Sequence, residues 1–248
     1  MNRNLKFLVI LILVLLPVYL AAQTPFPKIS LGVEESENPS DFVLTIQILV
    51  LMTILSLAPS ILIMMTSFTR IIIVFHFLRA ALATQAVPSN QILIGLALFM
   101  TLFIMKPVIT QINEQAMQPY LNEEITQAEA LSRASTPVRA FMLNQTRETD
   151  LQLFIDLKGD GPVKTREELT LSTIIPAFII SELKTAFQIG FLLYLPMLLL
   201  DMVVASVLLS MGMMMLPPVM ISMPFKILLF VLVDGWNLIV KSLVEGFV

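Results

Sequence analysis

The 248-residue sequence contains no cysteine, one histidine, one tryptophan and only eight glycines. Without cysteine the chain has no disulfide framework, thiolate metal site or cysteine nucleophile. The glycines form no G-x-x-x-x-G-K-[ST] loop, so we expect this chain not to hydrolyse nucleotide. His76 lies three residues before Arg79 with no carboxylate near it in sequence, which suits a structural or interfacial role better than a metal cluster or general base. These absences predict a protein that is not an enzyme and holds no metal or cofactor.

Charge is also scarce, since Asp, Glu, Lys and Arg make up 13% of the chain and the formal net charge is −3. The basic residues are dispersed, so no basic surface for nucleic acid is expected. In contrast, 57% of residues are hydrophobic and the mean hydropathy is +0.88. Such values lie outside the usual range of soluble proteins and predict a chain that contacts membrane lipid.

The amino terminus has the pattern of a cleavable secretory signal over residues 1–22. Arg3 and Lys6 precede a short apolar stretch, and Leu20-Ala21-Ala22-Gln23 offers a small-residue cleavage site, so we predict cleavage near Ala22. The alternative is an uncleaved anchor, but about ten apolar residues are fewer than the roughly twenty that span a bilayer. Residues 23–41 then form a polar lead-in.

Residues 42–110 are predicted to form the amino-terminal apolar helices. Ser40 or Asp41 can cap a helix from Phe42 to about Met65, with a kink at Pro59. A second helix is expected from Gln91 to about Ile109, interrupted at Lys106-Pro107. Between them, Arg70, His76 and Arg79 form a positive patch in an apolar stretch, which favours the cytoplasmic side of the membrane.

Residues 111–170 differ in kind, because they carry ten acidic and six basic residues. Apolar residues recur there at helical spacing, so we predict a helical polar domain, placed outside the cytoplasm by its acidic bias. Phe141 and Phe154 are candidates for packing between subunits of an oligomer. The alternative is that both belong to the internal core of this small domain.

Residues 171–248 are again apolar and are predicted to form a pair of helices with charges at depth. An ionisable residue inside an apolar helix usually faces a partner or a wet cavity, because facing lipid is costly. Glu182, Asp201 and Lys226 are therefore expected in contacts between helices or between subunits. The competing interpretation is local neutralisation, with Glu182 near Lys184 and Lys226 reaching out from a helix end.

A methionine-rich break lies between these two helices. Eight of the sixteen methionines fall between Met197 and Met223, and the triplet Met213, Met214 and Met215 precedes Pro217 and Pro218. Two adjacent prolines remove backbone donors, so no helix should pass through them undisturbed, and they form the expected hinge. Irregular backbone at membrane depth is tolerated where protein buries it or where it lines a cavity. The pattern predicts a pore constriction.

Two long motifs carry a family resemblance. The segment PAFIISELKTAFQIGF, from Pro176 to Phe191, is similar to the signature of the FliP family of type III export-gate proteins. The segment MGMMMLPPVMISMPFKILLFVLVDGW, from Met211 to Trp236, agrees with it. The resemblance extends over most of the chain after Asp41.

The resemblance implies an all-α fold in which apolar helical hairpins carry an inserted helical periplasmic domain and assemble into a helical, conical oligomer. It implies a non-enzymatic subunit of the flagellar export gate in the bacterial inner membrane and basal body, through which unfolded flagellar proteins pass. The implied partners are further copies of the chain in a pentamer, FliQ, FliR and other export-apparatus membrane proteins. Met213, Met214 and Met215 would form a gasket in a shared lumen, and Glu182, Asp201 and Lys226 would sit in subunit contacts.

Two other functions fit the residues alone. Broken apolar helices with Asp201, Lys226 and Asp234 also suit a secondary transporter or an ion or proton channel, although no inverted repeat supports it. A membrane scaffold, in which the methionine-proline break is only a turn within a packed core, is the third possibility.

Overall fold

The computed structural model describes residues 39–158, 169–213 and 215–247, with side chains from residue 45 onward. Every regular element in these ranges is helical, which confirms the predicted all-α class. The expected signal peptide and residues 23–38 of the lead-in lie outside the described residues. The helices are α1 (Pro39–Met64), α2 (Phe68–Ala81), α3 (Asn90–Ile112), a π-helical turn (Asn113–Met117), α4 (Gln118–Leu121), α5 (Gln127–Gln145), α6 (Glu148–Lys158), α7 (Leu171–Ser210), α8 (Pro218–Leu232) and α9 (Gly235–Glu245).

The chain divides into two compact units, Met1–Ile54 and Leu55–Val248. In the first, the described side chains from Thr45 to Ile54 are all exposed. Most of them are apolar and they point in every direction around the helix, as in a segment that crosses a membrane. The second unit contains the interior of the molecule.

Helix α2 is the centre of the larger core in this second unit. Its buried side chains, such as Ile71, Phe75 and Leu78, pack with residues of α3, α7, α8 and α9. The contact with α7 is close because Gly190 has no side chain: a Cβ at this position would overlap the ring of Phe77. The absence of one methyl group thus allows α2 and α7 to pack together.

A smaller core joins the polar region to the first half of α7. Met142 of α5 and Leu151 of α6 pack with Ile174, Ala177 and Phe178 of α7. Helix α7 has 40 residues and is therefore about 60 Å long, twice the roughly 30 Å of a bilayer's hydrocarbon core. Its first half packs against α5 and α6, while many side chains of its second half are exposed and apolar.

Within the described ranges, three helical segments are long and apolar enough to cross a membrane: Thr45–Met64, Asn90–Leu121 and Leu171–Ser210. The α8 and α9 helices bend by 64° at their junction and would make a fourth if they act as one broken span. Asp234 occupies the left-handed region at this bend, with φ of +50°. These segments place the protein in a membrane.

The expected interruption at Lys106-Pro107 was wrong, because α3 continues past it without a break to Ile112. Helix α1 runs from Pro39 through Pro59 to Met64 as one helix, and the kink expected at Pro59 stays a prediction. A proline removes one backbone hydrogen bond, but Met105 and Val108 on either side of Pro107 are buried in the protein. Packing of the neighbouring turns therefore holds α3 together.

Candidate functional site

The methionine-proline loop, residues 211–217, joins α7 to α8 at the tip of an apolar hairpin. Helix α7 ends because Gly212 adopts φ of +73°, a left-handed conformation that glycine enters without steric cost. The amide of Met213 then donates to the carbonyl of Leu208 at 2.9 Å, which closes the helix end. Pro217 is extended and Pro218 is the first residue of α8, so the proline pair stands where the helix restarts.

The methionines of the loop are exposed in the single chain. The side chain of Met215 is 98% exposed and that of Met213 is 41% exposed, while Met214 lies outside the described residues. Met211, the first residue of the loop, and Met220, three residues after it, are also exposed. An apolar, flexible tip without packing partners in its own chain is suited to contact something else.

A polar cluster joins the two helices below this loop. Lys226 Nζ of α8 donates to Asp201 Oδ2 of α7 at 2.7 Å, and Ser222 Oγ donates to Asp201 Oδ1. Lys226 and Ser222 are buried, and Asp201 is 21% exposed. The structure thus places Asp201 and Lys226 in a contact between helices of one chain. Ser222 was not predicted, although its position four residues before Lys226 puts both on one helix face.

Glu182 is fully buried and bound by Arg70, which comes from α2. Arg70 Nε donates to Glu182 Oε2 at 2.9 Å, and Nη2 donates to Glu182 Oε1. The predicted positive patch is therefore wrong for Arg70, because this guanidinium is buried and neutralised. His76 and Arg79 do lie together near the surface, with His76 Nδ1 3.1 Å from Arg79 Nη2.

The same guanidinium binds the end of the chain. Arg70 Nη1 donates to the carbonyl of Gly246 at 3.0 Å, Nη2 donates to Gln145 Oε1 at 3.0 Å, and the cation lies 3.7 Å from the centre of the Phe247 ring. Gln145 Nε2 donates in turn to the carbonyl of Phe247. One arginine thus connects α2, α5, α7 and the residues after α9.

A third polar cluster attaches α6 to α7. Lys184 is bound to Asp150 of α6, not to Glu182, and Ser181 Oγ donates to the second oxygen of Asp150 at 2.8 Å. Burial of Asp150 on its own would raise its pKa. The hydrogen bonds from Lys184 and Ser181 and the charges of Lys184 and Arg147 outweigh burial and hold the pKa of Asp150 below its ordinary value.

Phe141 and Phe154 both lie against the smaller core and are half-buried. The ring of Phe141 contacts Phe178 edge-on at 6.0 Å between centroids and stacks on Phe247 at 6.2 Å. These are contacts within one chain, and a role of either ring between subunits stays a prediction.

The arrangement as a whole is suited to a structural role. In the described ranges, no group of three His, Asp or Glu side chains is placed to hold a metal ion. The buried charges of the described residues, Arg70, Asp150, Glu182 and Lys226, are each held by a partner of opposite charge on another helix. The hairpin surface and the tip with Met213 and Met215 are apolar and exposed.

Comparison with known proteins gives the family. The profile of the FliP family matches residues 51–243. The chain is 54% identical to the flagellar biosynthetic protein FliP of Bacillus subtilis over 217 residues, 88% of this chain and 98% of that protein. It is 50% identical to the protein of the same name in Aquifex aeolicus over 89% of this chain and 92% of that one, and 50% identical to that of Cereibacter sphaeroides over 90% and 73%. The chain therefore belongs to the FliP family.

Proposed function

We propose that this chain is a non-enzymatic core subunit of the flagellar type III protein export gate. Further copies of the chain, in a pentamer with FliQ and FliR, would enclose a channel for unfolded flagellar proteins in the inner membrane and basal body. Family membership supports this proposal, as does the name "flagellar biosynthetic protein FliP" of relatives about half identical to the chain. The polar domain, residues 111–170, would face the periplasm.

The observation that carries the channel role is the exposed methionine tip. A side chain that is 98% exposed, as in Met215, gains nothing from packing in its own chain, so its apolar character must serve a contact outside it. Repeated around a ring, Met213, Met214 and Met215 would form an apolar constriction that resists wetting while the channel is empty. Flexible thioethers would then yield around many passing sequences.

The hairpin supplies the support for such a constriction. Asp201, Ser222 and Lys226 connect α7 and α8 below the loop, while Gly212 and the pair Pro217 and Pro218 define where each helix stops. We assign the three polar residues to holding the hairpin together within one subunit. Glu182 has the corresponding role between α2 and α7 through Arg70.

Ion or small-molecule leakage through the assembled gate tests the gasket. Met213→Ala, Met214→Ala and Met215→Ala together should increase leakage, because the smaller side chains leave a wider constriction. The matched control is Met52→Ala, Met64→Ala and Met202→Ala, three exposed methionines outside the loop. Unchanged leakage through a fully assembled triple variant would refute the gasket.

Crosslinking tests the channel itself. The natural chain has no cysteine, so Met215→Cys introduces the only thiol. A stalled export substrate carrying one thiol should be captured at position 215 and not at the exposed α7 position Met202. No substrate adduct at position 215 in a fully assembled gate would favour the scaffold function.

A further inference from the structure

A groove lies between the end of α3 and the first half of α5, away from the methionine-proline loop. It has a volume of about 270 Å³. One wall comes from the α3 end, the π-helical turn and α4, and the other from α5. The lining residues are Ile112, Ala116, Met117, Tyr120, Leu131 and Ala134, with Gln127 and Ala130.

The groove is apolar and open to the outside. Leu131 is 74% exposed, Met117 50% and Tyr120 42%. Alanines on both walls, Ala116 and Ala134 among them, leave room between the helices for larger side chains from elsewhere. Helix pairs of this kind accept an amphipathic helix whose apolar side chains recur one turn apart.

The surroundings of the groove are acidic. Residues 107–132 contain four glutamates and no lysine or arginine. Glu114 lies on the π-helical turn, and Glu123 and Glu124 lie in the loop that joins the two walls. Within the part of the chain that the structure describes, none of these three pairs with a cation, whereas Glu129 is paired with Arg133.

Lipid does not suit this groove. The segment Asn90–Leu121 has 32 residues and is about 48 Å long, whereas roughly twenty residues cross the hydrocarbon core. Its carboxyl-terminal end is the polar one, with Gln111, Asn113, Glu114 and Gln115, so the turn with Glu114 is the part that extends beyond the hydrocarbon. A symmetric face-to-face contact with a second copy does not suit the groove, because two acidic rims would repel each other. A head-to-tail contact with another surface of a second copy is the alternative that the experiment below distinguishes.

We propose that this groove docks a helix of a different protein, with large apolar residues at i and i+4 on one face and Lys or Arg at the end nearest Glu123 and Glu124. The apolar ridge fills the space between the alanines. The cations meet glutamates that pair with no cation among the described residues, which gives the contact its direction and its dependence on salt. The contact is independent of whether the methionine triplet seals a pore.

The test uses the full chain in its native membrane with a photo-crosslinking benzoylphenylalanine at position 131. We expect one protein adduct whose crosslinked peptide, identified by mass spectrometry, has the apolar spacing and flanking cations described. Glu123→Lys with Glu124→Lys should lower the adduct yield at least tenfold. The control Asp156→Lys with Glu245→Lys makes the same change in net charge at exposed positions outside the groove and should leave it unchanged.

Charge exchange completes the test. Changing the partner's flanking cations to glutamate should restore the adduct with the Glu123→Lys, Glu124→Lys chain. The proposal is overturned by an adduct to a second copy of this chain, by an adduct to lipid alone or by no adduct. It is also overturned if the adduct yield is the same with and without the Glu123→Lys and Glu124→Lys changes. A probe at Leu153, which is 46% exposed but lies outside the groove, should not give the same adduct.

Discussion

Arg70 shows how a mostly apolar chain keeps a charge inside. Its guanidinium has five donors in a fixed fork, and here the fork reaches Glu182, Gln145 and the carbonyl of Gly246 while its face covers Phe247. If Arg70 were lost, Glu182, Gln145 and the carbonyl of Gly246 would each lose a hydrogen-bond donor. Removing only Arg70 or only Glu182 should therefore lower the free energy of unfolding by more than the net contribution of the intact ion pair.

Glu182→Gln should destabilise the protein by about 3 to 5 kcal/mol, because it leaves a buried cation without its counter-charge. Arg70→Met combined with Glu182→Leu should cost less than Glu182→Gln, since no charge then remains buried. Denaturant unfolding of the chain in detergent measures both. Lys241→Ala, at an exposed pair with Glu245, should change stability by less than about 1 kcal/mol. A loss of stability in the Arg70→Met, Glu182→Leu variant equal to or larger than that in Glu182→Gln would contradict this account.

Glycine provides a second comparison of single residues. Gly190→Ala should destabilise by about 1 to 3 kcal/mol, because the added methyl group overlaps the ring of Phe77 in a packed core. Gly95→Ala, in α3, meets no atom within 4 Å and should stabilise by about 0.5 to 1 kcal/mol. Unfolding of the two variants in parallel distinguishes packing from helix propensity. Equal effects at the two sites would show that the contact with Phe77 is not what limits the size of residue 190.

At the scale of the element, α7 connects the two cores and carries a polar cluster for each neighbour. Glu182 binds α2, the pair Ser181 and Lys184 binds α6 through Asp150, and Asp201 binds α8. Ser181, Glu182 and Lys184 share one turn of α7 but face two different helices, whereas Asp201 lies about five turns further along. A long helix of this kind can hold the polar region and the loop-bearing hairpin on one axis.

The attachment of α6 should weaken in acid. The pKa of Asp150 is lowered in the folded protein, so its contribution to stability is complete above the ordinary carboxyl value of 3.8 and is lost as the pH falls through the lower folded value. The protection factors of α6 amides, which correct for the pH dependence of intrinsic exchange, should therefore fall below about pH 4.

The variant Asp150→Asn gives the matched experiment. It should lower the protection of α6 amides against hydrogen exchange already at neutral pH. It should also remove the part of the pH dependence of this protection that comes from the Asp150 carboxyl group. Asp156→Asn, an exposed carboxyl on the same helix, should leave the profile unchanged. If wild-type α6 is equally protected at pH 7 and pH 3, the pairing of Asp150 does not hold this helix.

At the scale of the whole molecule, the dominant feature is apolar surface that none of the described residues covers. On α3, Ala97 and Met100 are buried while Phe99 and Phe103 are 75% and 66% exposed, so one face packs inward and the other points away. Monomeric soluble proteins rarely expose patches of this kind. Lipid or neighbouring subunits must cover them.

Thiol labelling in membranes should separate the covered face from the polar region. A cysteine placed at Phe103 should resist a water-soluble maleimide, whereas one at Leu157, 72% exposed on α6, should react. Both positions are apolar and exposed in the single chain, so the difference reports their surroundings. The natural chain lacks cysteine and gives no background. Equal labelling would place α3 outside the hydrocarbon.

Much of the fold could be predicted from the sequence, because composition and local spacing act within one helix. The all-α class, the membrane location and the helix break before Pro218 follow from hydropathy and from proline's missing donor. The effect of Pro107 could not be predicted in this way. Whether one lost hydrogen bond ends a helix depends on how the turns around it are packed.

Which charged residues pair with each other could not be predicted from the sequence and is determined by the tertiary structure. Sequence determined that Glu182, Asp201 and Lys226, in apolar surroundings, needed partners. It did not identify Arg70, 112 residues away in sequence, as the partner of Glu182. It also did not show that Lys184 binds Asp150 and not Glu182. A charge buried in apolar surroundings requires a partner wherever it lies along the chain, but only the packing of helices brings distant residues within hydrogen-bonding distance.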